Sequence, residues 1–507
     1  MDEAETVSKC TWAADADPET SPHIKIDWKN EDKVHNCVTR LVGNTPIIKL
    51  NKIPESAGIQ CEMYVKCEYM NPGGSEKDRF AVRAIQEAER TKTLKPGDTI
   101  IAPSLGNTAV SMALVAAIKG YPIKIVTPDD IIEYREITLN LLGADIIKVS
   151  KNTNPNSKTG LFGVCETLSC EIPHAVILNP YTSPDNPLCH YDGTAEEILD
   201  AFEGSVDMLV VNCRSGGIIT GIGRKIREKC PNCIMVGINS VTSSEAEQAP
   251  TNDDKTSLDY SYSDSGSANP EFLPMMLDQS VIDKWIKSDK NEGFKMARRL
   301  IADEGIFCGV YSGMAVCVAL NEAKTLSASN KCVIILPDNI RDYLQMFVND
   351  SWLQVKNIEP CSNPGDYWWW DVNISELRLK PLQIAEDSMS CHSVMHIMRK
   401  YRIKQVPIIN KHNSLVGAVT FSGIINKILS GEVHSKDPVG KCVTDYNGIE
   451  EGDSATLGLA MRTLELQPNA IIYQIASSEV GIIKKVTGLV KYIDILLYIQ
   501  ANDPKKV

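Results

Sequence analysis

The segment around Lys77 carries the strongest chemical signal in the sequence. The turn Asn71-Pro-Gly-Gly-Ser precedes Lys77, and an amphipathic pattern with Phe80, Ile85 and Ala88 follows it. A lysine at the start of a helix lies at the positive end of the helix dipole, which disfavours the ammonium form. The neutral amine is the form that condenses with a carbonyl compound. The spacing therefore predicts either a Schiff-base lysine or a surface lysine after a turn.

Two further turns combine glycine with small polar residues. Ser104-Leu-Gly106-Asn107-Thr108 follows the apolar pair Ile100-Ile101 and suits a carboxylate or a ring hydroxyl. Arg214-Ser215-Gly216-Gly217-Ile218 follows the apolar run Met208 to Cys213. Backbone N–H groups at such a helix start can bind a phosphate. Taken alone, the first turn is also explained as an ordinary Asn-containing turn, and the second as tight packing of a helix on a strand.

These motifs lie in a stretch of alternating strand and helix patterns that runs from Leu41 to about Leu344. Ile123 to Thr127 and Met208 to Cys213 are typical of buried strands, and each is followed by a turn and a helical pattern. The alternation predicts an α/β architecture of doubly wound parallel sheets with helices on both faces. Ligands in such folds bind at the carboxyl ends of the strands, on glycine-rich loops that open helices.

The C-terminal part of the chain contains a duplicated pattern. Gly417-Ala-Val419 and Gly488-Leu-Val490 lie 71 positions apart, and each precedes a helical run. The duplication predicts a pseudo-symmetric pair of small α/β units with ligand clefts between them. Before the pair, the composition shifts to a stretch rich in Pro and Gly that ends in Trp368-Trp-Trp370, which we interpret as a linker with an aromatic anchor.

Composition limits the class of protein and its partners. A length of 507 residues predicts two or three domains. The net charge of −13 argues against a nucleic-acid partner, because phosphate binding needs clustered Lys and Arg. No apolar run reaches the roughly 18 residues that span a bilayer, and the acidic N-terminus lacks a signal-peptide pattern. We therefore predict a cytoplasmic protein with reduced thiols and no membrane partner.

The three motifs, in this order, resemble the fold-type II pyridoxal-phosphate (PLP) enzymes and, among them, the cystathionine β-synthase family. The resemblance runs from about Cys10 to Ile499 and includes Gly43-Asn-Thr-Pro46, Asn186 to Asp192 and Leu336-Pro-Asp338. It implies a tryptophan synthase β-like core and a C-terminal Bateman module of two CBS motifs. It also implies condensation of L-serine with L-homocysteine to L-cystathionine, a transsulfuration step of cysteine biosynthesis, with hydrogen sulfide formation from cysteine as a further activity.

The resemblance divides the chain into four segments. These are an N-terminal haem-binding segment (1–36), a PLP-dependent core (37–350), a linker (351–376) and a CBS-domain pair (377–507, with repeats at about 377–433 and 434–507). Family members are dimers or tetramers, so we expect a homo-oligomer that acts on small amino acids.

The resemblance also assigns roles within the core. Lys77 matches the lysine that holds PLP and shuttles protons. The positions that match cofactor contacts are Asn107 at the ring hydroxyl, Ser215, Gly216, Gly217 and Ile218 at the phosphate, and Tyr311 at the pyridine nitrogen. The positions that match substrate contacts are Ser104, Gly106, Thr108 and Tyr181.

Two cysteine-containing sites follow from the same resemblance. Cys10 and His23, 13 positions apart, match the axial ligands of a haem iron, and Arg224 matches the arginine that pairs with the Cys10 thiolate. Cys230 and Cys233 match a Cys-x-x-Cys of the animal enzymes, which is either a redox pair or two free thiols.

The regulatory pair is implied to bind a nucleoside, which is S-adenosylmethionine in animal members. Asp494 matches the acid that holds the ribose hydroxyls. The first repeat has Gly423 at the equivalent position. We therefore expect at most one nucleoside site.

Several positions around the cofactor depart from the family pattern. The family's phosphate loop reads Gly-Thr-Gly-Gly-Thr, so Arg214 either pairs with the phosphate or fills the site, and Ile218 lacks a hydroxyl. Leu105 and Tyr311 stand where the family has serine. Glu76 replaces an apolar residue and, if it points inward, favours the charged form of Lys77.

These observations support two hypotheses. The first is an active PLP-dependent lyase, either with the family's substrates or with cysteine or O-acetylserine in place of serine. The second is a divergent paralogue with weakened or lost catalysis, which senses haem or a nucleoside or binds a partner protein.

Overall fold

The computed structural model describes residues 34–104, 106–150, 153–241, 276–359, 361–377, 379, 382–444, 446–478 and 481–504. The chain divides into two compact units, and the boundary falls after Leu344. Three residues with predicted roles, Cys10, His23 and Leu105, lie outside the described residues. Within the described ranges, every helix is too short or too polar to cross a membrane.

Strands and helices alternate along the first unit, as the sequence predicts. Its strands are β1 (Ile47–Lys49), β2 (Glu62–Lys66), β3 (Thr99–Pro103), β4 (Ile123–Pro128), β5 (Asp145–Val149), β6 (Ala175–Ile177), β7 (Met208–Asn212), β8 (Ile234–Val241), β9 (Lys284–Asp289) and β10 (Lys331–Ile335). Its helices are α1 (Lys52–Ser56), α2 (Lys77–Arg90), α3 (Asn107–Lys119), α4 (Glu133–Leu141), α5 (Leu161–Glu171), α6 (Asp185–Cys189), α7 (Ala195–Ala201), α8 (Gly217–Lys229), α9 (Lys290–Glu304) and α10 (Val310–Glu322).

The strands form two sheets. One has the order β1-β2-β10-β7-β8-β9 and the other the order β5-β4-β3-β6. All neighbouring strands are parallel except β1, which is antiparallel to β2. The predicted α/β fold with parallel sheets is confirmed.

Helices cover both faces of the four-stranded sheet. Ile100 and Ile125 point to the face that packs against α2 and α3, whereas Ile101 and Val126 pack with Leu161 of α5 on the other face. This alternation follows from the two-residue period of a strand. Strands covered on both faces carry near-continuous apolar sequence, which explains why every residue of β7 is buried.

The six-stranded sheet is covered in the same way. Leu209 of β7 and Val333 of β10 pack in one core with Ile219 and Ile222 of α8. Helix α10 contacts β7 and β10 as well. The strands that end beside the candidate site are therefore held in a rigid, buried frame.

The second unit contains two three-stranded sheets. Its strands are β11 (Ala385–Glu386), β12 (Gln405–Ile409), β13 (Leu415–Thr420), β14 (Gly448–Glu450), β15 (Ala470–Ser478) and β16 (Gly481–Val490). Its helices are α12 (Asp350–Val355), α13 (Cys391–Tyr401), α14 (Phe421–Leu429), α15 (Leu457–Leu466) and α16 (Tyr492–Asn502), and the short α11 (Leu344–Phe347) lies at the unit boundary.

The two sheets share one topology. In each, the first strand is parallel to the middle strand, which is antiparallel to the third. The third strand is followed directly by a helix, α14 in one repeat and α16 in the other. The duplicated pattern of the sequence therefore corresponds to a repeated structural unit.

The tryptophan cluster is part of the second unit's core. Trp369 and Trp370 are buried and pack with Ile449 and Leu457, and the Trp370 ring lies against Gly458, where a side chain would clash with it. The aromatic end of the stretch interpreted as a linker is thus part of the folded core. Large aromatic side chains bury much apolar area when they pack, which favours this position.

Candidate active site

One cavity brings together the three motifs that the sequence singles out. It lies at the carboxyl ends of β3, β7 and β10 and encloses about 580 Å³ of empty space, including space open to solvent. It is lined by Glu76, Lys77, Gly106, Asn107, Thr108, Tyr181, Asn212, Arg214, Ser215, Ile218, Tyr311, Pro337 and Asp338.

Most of the residues predicted to contact the cofactor or the substrate line this cavity, but three do not. Ser104 is fully buried, and its hydroxyl accepts a hydrogen bond from the Gly106 N–H at 3.2 Å. Gly216 has φ +79° and lies against Leu277, and Gly217 lies against Asn186. These three residues shape the turns, and a side chain at either glycine would clash with its neighbour.

Lys77 is the first residue of α2, and it is ion-paired inside the cavity. Its Nζ lies 2.7 Å from Glu76 Oε1, and the two side chains are only 8% and 9% exposed. Glu76 therefore points inward, which is the condition the sequence left open. The carboxylate of Glu76 is therefore in direct contact with the amine of Lys77. The second carboxylate oxygen, Oε2, is buried without a hydrogen-bond partner.

Buried charged residues anchor the start of α2 on the side away from the cavity. The Arg79 guanidinium bonds the Glu68 carboxylate through Nε at 2.7 Å and the Glu197 carboxylate through Nη1 at 2.6 Å. Lys66 Nζ lies 2.5 Å from Glu197 Oε2. Burial alone would raise the pKa of Glu68, but the charge and hydrogen bonds of Arg79 outweigh burial and lower that pKa. The network fixes where α2 begins.

Asp78 ties the start of α2 to its neighbours. Its carboxylate accepts hydrogen bonds from the Ser111 hydroxyl and the Gly73 N–H, both at 2.5 Å. Burial raises the pKa of Asp78 to about 6, although these hydrogen bonds oppose the rise. A side chain at Gly73 would overlap this carboxylate, so the glycine turn before Lys77 is required by close approach.

Asp338 plays the same part at the start of α10. Its carboxylate accepts hydrogen bonds from the Tyr311 N–H at 3.1 Å, the Ser312 N–H at 2.9 Å and the Ser312 hydroxyl at 2.7 Å. Burial raises the pKa of Asp338 to about 6. Asn212 donates from Nδ2 to the Tyr311 carbonyl at 2.7 Å. Asn212 and Asp338 thus position the backbone of Tyr311.

Two cationic side chains lie near the ring of Tyr311. The Arg214 guanidinium carbon lies 4.7 Å from the ring centre, and Lys290 Nζ lies 5.9 Å from it. A Cβ built on Gly106 would lie 3.7 Å from Arg214 Nη1. Arg214 therefore extends across the cavity towards the 104–108 turn.

The residues fit PLP at both ends of the cofactor. At the aldehyde end, the Lys77 amine lines the cavity. At the phosphate end, Ser215 and Ile218 line it beside the start of α8, where helix N–H groups attract phosphate. Asn107, predicted for the ring hydroxyl, also lines it, and its Oδ1 accepts a hydrogen bond from Arg135 Nη2 at 3.4 Å. The Arg214 side chain lies in the cavity between the aldehyde end and the phosphate end.

Asn212, Pro337 and Asp338 line the cavity, although the sequence gave them no role. Leu336-Pro-Asp338 is one of the motifs that carry the resemblance. It directly follows β10, and this position could have predicted that it lies at the carboxyl ends of the strands. Asn212 is the last residue of β7. A polar residue that ends a buried strand is the signal that could have identified it.

The predicted sites outside the cavity stay predictions. Arg224, predicted to pair with Cys10, lies 2.9 Å from Asp278 through its Nε. Cys230 and Cys233 are buried free thiols, and burial raises the pKa of Cys233. Asp494 caps α16, since its Oδ2 accepts the Lys491 N–H at 2.8 Å.

Comparison with known proteins gives the family. The model for pyridoxal-phosphate dependent enzymes matches residues 38–338, and the CBS domain model matches residues 374–430. Cystathionine beta-synthase of Rattus norvegicus is 38% identical over 92% of this chain and 83% of the relative. The Apis mellifera enzyme of that name is 39% identical over 98% of this chain and 96% of the relative.

A solved structure extends the likeness to the fold. The O-acetylserine dependent cystathionine beta-synthase from Helicobacter pylori is 27% identical, with a TM-score of 0.53, and the match covers 62% of this chain and 98% of that one. The chain thus belongs to the pyridoxal-phosphate dependent enzymes and, within them, to the cystathionine beta-synthase family, with a CBS domain in its C-terminal unit.

Proposed function

We propose that the first unit catalyses PLP-dependent β-replacement, which condenses L-serine with L-homocysteine to give L-cystathionine. The observation that supports this proposal is the convergence of Lys77, Asn107 and the start of α8 on one cavity. PLP, when bound, supplies an aldehyde for amine condensation and a ring that withdraws electrons from the substrate. Hydrogen sulfide formation from L-cysteine is a second reaction proposed for the same site.

Five of the cavity residues have a role in this proposal. Lys77 Nζ attaches the cofactor and, when free, moves the proton at the substrate's α-carbon. The Asn107 amide orients the ring by its hydroxyl, and Ser215 with the start of α8 holds the phosphate. Thr108, at the start of α3, receives the substrate carboxylate. The ring of Tyr181, packed edge-on against Phe162 at 5.7 Å, limits the space for the side chain of the amino acid.

The product assay tests this proposal directly. Full-length protein with PLP, L-serine and L-homocysteine is expected to form cystathionine, measured by mass spectrometry. Lys77→Ala should abolish product formation, and Asn107→Ala should lower it by about 10–100-fold. Lys95→Ala, an exposed lysine outside the cavity, is the matched control and should leave the rate unchanged. Absence of product from the unmutated chain across a range of PLP concentrations would reject the proposal.

A second candidate function is ligand binding with weakened or lost turnover. The placement of Arg214 over the Tyr311 ring favours it, because the guanidinium lies in the cavity that the cofactor needs. The Lys77–Glu76 ion pair favours it too, since the amine that would attach the cofactor is held by a neighbouring carboxylate. Binding of amino acids without product formation would support this candidate over β-replacement.

Three further proposals rest on the family alone. Cys10 and His23 would ligate a haem iron, and loss of the haem absorbance in Cys10→Ala tests this. Asp494 would bind the ribose of a nucleoside such as S-adenosylmethionine, and Asp494→Ala should abolish that binding. The chain would act in the cytoplasm as a homo-oligomer, whose size light scattering measures.

A further inference from the structure

Two cysteine thiols lie against each other in the core of the second unit. Cys391 is the first residue of α13, and Cys442 is the last residue of a short 3-10 helix, Val439–Cys442. Their Sγ atoms lie 3.7 Å apart, and both side chains are buried in the core around β11, β12 and β13. Both are free thiols, and neither lines the candidate active site, which belongs to the first unit.

Backbone hydrogen bonds hold the two segments that carry these thiols. The Cys391 N–H donates to the Asp437 carbonyl at 2.9 Å. The Val439 N–H donates to the Met389 carbonyl at 2.7 Å. To form a disulfide, the two sulfur atoms must approach from 3.7 Å to about 2 Å, so each moves by less than about 1 Å. Side-chain rotation supplies a movement of this size and leaves the backbone hydrogen bonds in place.

The Cys-x-x-Cys pair of the first unit is arranged differently. Cys230 donates from Sγ to the Gly204 carbonyl at 2.7 Å, and the Cys233 thiol contacts a different backbone carbonyl. By contrast, Cys391 and Cys442 bond to each other. The fold thus brings together two thiols that are 51 positions apart, a pair that no local sequence motif indicates.

Burial slows the reaction of the two thiols, but it does not prevent equilibration. His392 and Lys441, each next to one of the cysteines, are exposed, so the pair lies just beneath the surface. Burial raises the pKa of Cys442 to about 12, and the hydrogen bond with Cys391 adds to this rise, so this thiol is protonated at neutral pH. A reagent reaches the pair when the two segments open locally. The final ratio of disulfide to dithiol then depends on the redox potential of the solution.

We propose that Cys391 and Cys442 form a reversible disulfide within the second unit, with a low-molecular-weight disulfide such as glutathione disulfide as the oxidant. One cysteine thiolate attacks the oxidant, forms a mixed disulfide and releases one glutathione. The other attacks the cysteine sulfur of that mixed disulfide and releases the second glutathione. The two cysteines lose two electrons and two protons, which reduce one glutathione disulfide to two glutathiones. The inference goes beyond β-replacement, because it needs neither PLP nor a substrate.

Equilibration with glutathione tests the inference. Reduced full-length protein is kept at about pH 8 in buffers with an increasing ratio of glutathione disulfide to glutathione, until the products stop changing. The remaining thiols are blocked with N-ethylmaleimide in denaturant, and the peptides are mapped without reductant. At the most oxidising ratio, peptides linked through Cys391 and Cys442 are expected in at least about half of the chains, and dithiothreitol should separate them. Two blocked thiols, or glutathione bonded to either of them, would overturn the inference.

Single substitutions show whether the link belongs to this pair. Cys391→Ala and Cys442→Ala should each abolish the linked peptide. Cys165→Ala removes another buried thiol, which lies in the first unit, and should leave the linked peptide unchanged. A link from Cys391 to some other cysteine in Cys442→Ala would contradict the inference, because proximity in the fold would then not select the partner. The map of the unmutated chain remains decisive even if a variant fails to fold.

Urea unfolding shows whether the disulfide fits the native fold. The cross-link joins positions 51 apart and restricts the unfolded chain between them, which includes β12, β13 and α14. Oxidation is therefore expected to raise the unfolding midpoint of the second unit by at least about 1 M urea. Cys442→Ala, treated in the same way, should show no rise. An unchanged or lower midpoint in the oxidised unmutated chain would mean that the folded unit does not accommodate the bond, and the inference would be wrong.

Discussion

Buried charges are fully paired on one side of the start of α2 and only partly paired on the other. On the side away from the cavity, Arg79 meets Glu68 and Glu197, and Lys66 also contacts Glu197. On the cavity side, Glu76 uses one oxygen for Lys77 and leaves the other without a hydrogen-bond partner. The first arrangement is complete in the folded chain, whereas the second leaves one buried carboxylate oxygen without a donor.

The difference separates structure from ligand binding. A fully satisfied buried network fixes a unique geometry, and removal of one member leaves an uncompensated charge. An unsatisfied buried polar atom is rare in a native protein, and a catalytic role is one of its explanations. The Arg79 network therefore positions Lys77, and we propose that chemistry or binding takes place on the cavity side of the same turn.

Removal of Arg79 should have the largest effect on stability. Arg79→Ala is expected to lower the free energy of unfolding of the first unit by about 3–5 kcal/mol, because Glu68 and Glu197 stay buried without their partner. Urea unfolding measures the loss. The control is Arg90→Ala on the same helix, whose pair with Glu87 is exposed and should contribute at most about 1 kcal/mol. Equal losses in the two variants would show that the network is not the anchor of α2.

The pH dependence of the free energy of unfolding tests the role of Asp78, which lies between Lys77 and Arg79 at the start of α2. Burial raises its pKa from 3.8 to about 6, so between these values the folded chain keeps a proton that the unfolded chain has lost. Stability should therefore fall as pH rises from about 4 to 6, with a contribution from Asp78 of up to about 3 kcal/mol.

Asp78→Asn removes this contribution. The variant should be less stable overall, since its amide faces the Gly73 N–H, but its stability should change less between pH 4 and 6 than that of the unmutated chain. Urea unfolding at a series of pH values measures both slopes. Parallel slopes would contradict the assignment.

Replacement of Arg214 tests whether its side chain obstructs the binding of PLP in the cavity. Arg214→Gly is expected to strengthen PLP binding by about tenfold, because it removes a side chain from the space between Tyr311 and Gly106. Absorbance titration with PLP measures the change, and Arg214→Lys, which keeps the charge, serves as control. Weaker binding in Arg214→Gly would instead show that the guanidinium pairs with the phosphate, the other alternative that the sequence leaves open.

Lys290 should have the smallest effect. Its Nζ lies 5.9 Å from the Tyr311 ring centre, farther than the Arg214 guanidinium. Lys290→Ala is expected to change the PLP affinity less than about twofold and the free energy of unfolding by about 0.5 kcal/mol. An effect as large as that of Arg214→Gly would show that the two cations act together on the ring.

Local patterns predicted the frame of the site. The turn before Lys77 and the turns at 104–108 and 214–218 each follow a strand and open a helix, so their meeting at the strand ends follows from the parallel-sheet fold. The duplicated Gly-x-Val pattern likewise identified β13 and β16 with the helices that follow them. These features depend on neighbours in sequence.

The parts that the sequence could not supply depend on distant pairs. Arg79 and Glu197 are 118 positions apart, and Tyr311 and Asp338 are 27 apart. The direction of Glu76 and the path of Arg214 across the cavity are set by such contacts, so the sequence stated each only as an alternative. Trp369 and Trp370 were interpreted as the aromatic anchor of a linker, but their partner Leu457 lies far along the chain and could not be identified from the sequence.

Intact-protein mass spectrometry after borohydride reduction tests the central claim, that Lys77 attaches PLP in this cavity. Borohydride fixes the cofactor on its lysine. The account predicts a mass gain of one reduced pyridoxyl phosphate in the unmutated chain and none in Lys77→Ala, with a peptide map that places the group on Lys77. No adduct in protein purified with excess PLP, or an adduct that persists in Lys77→Ala, would contradict it.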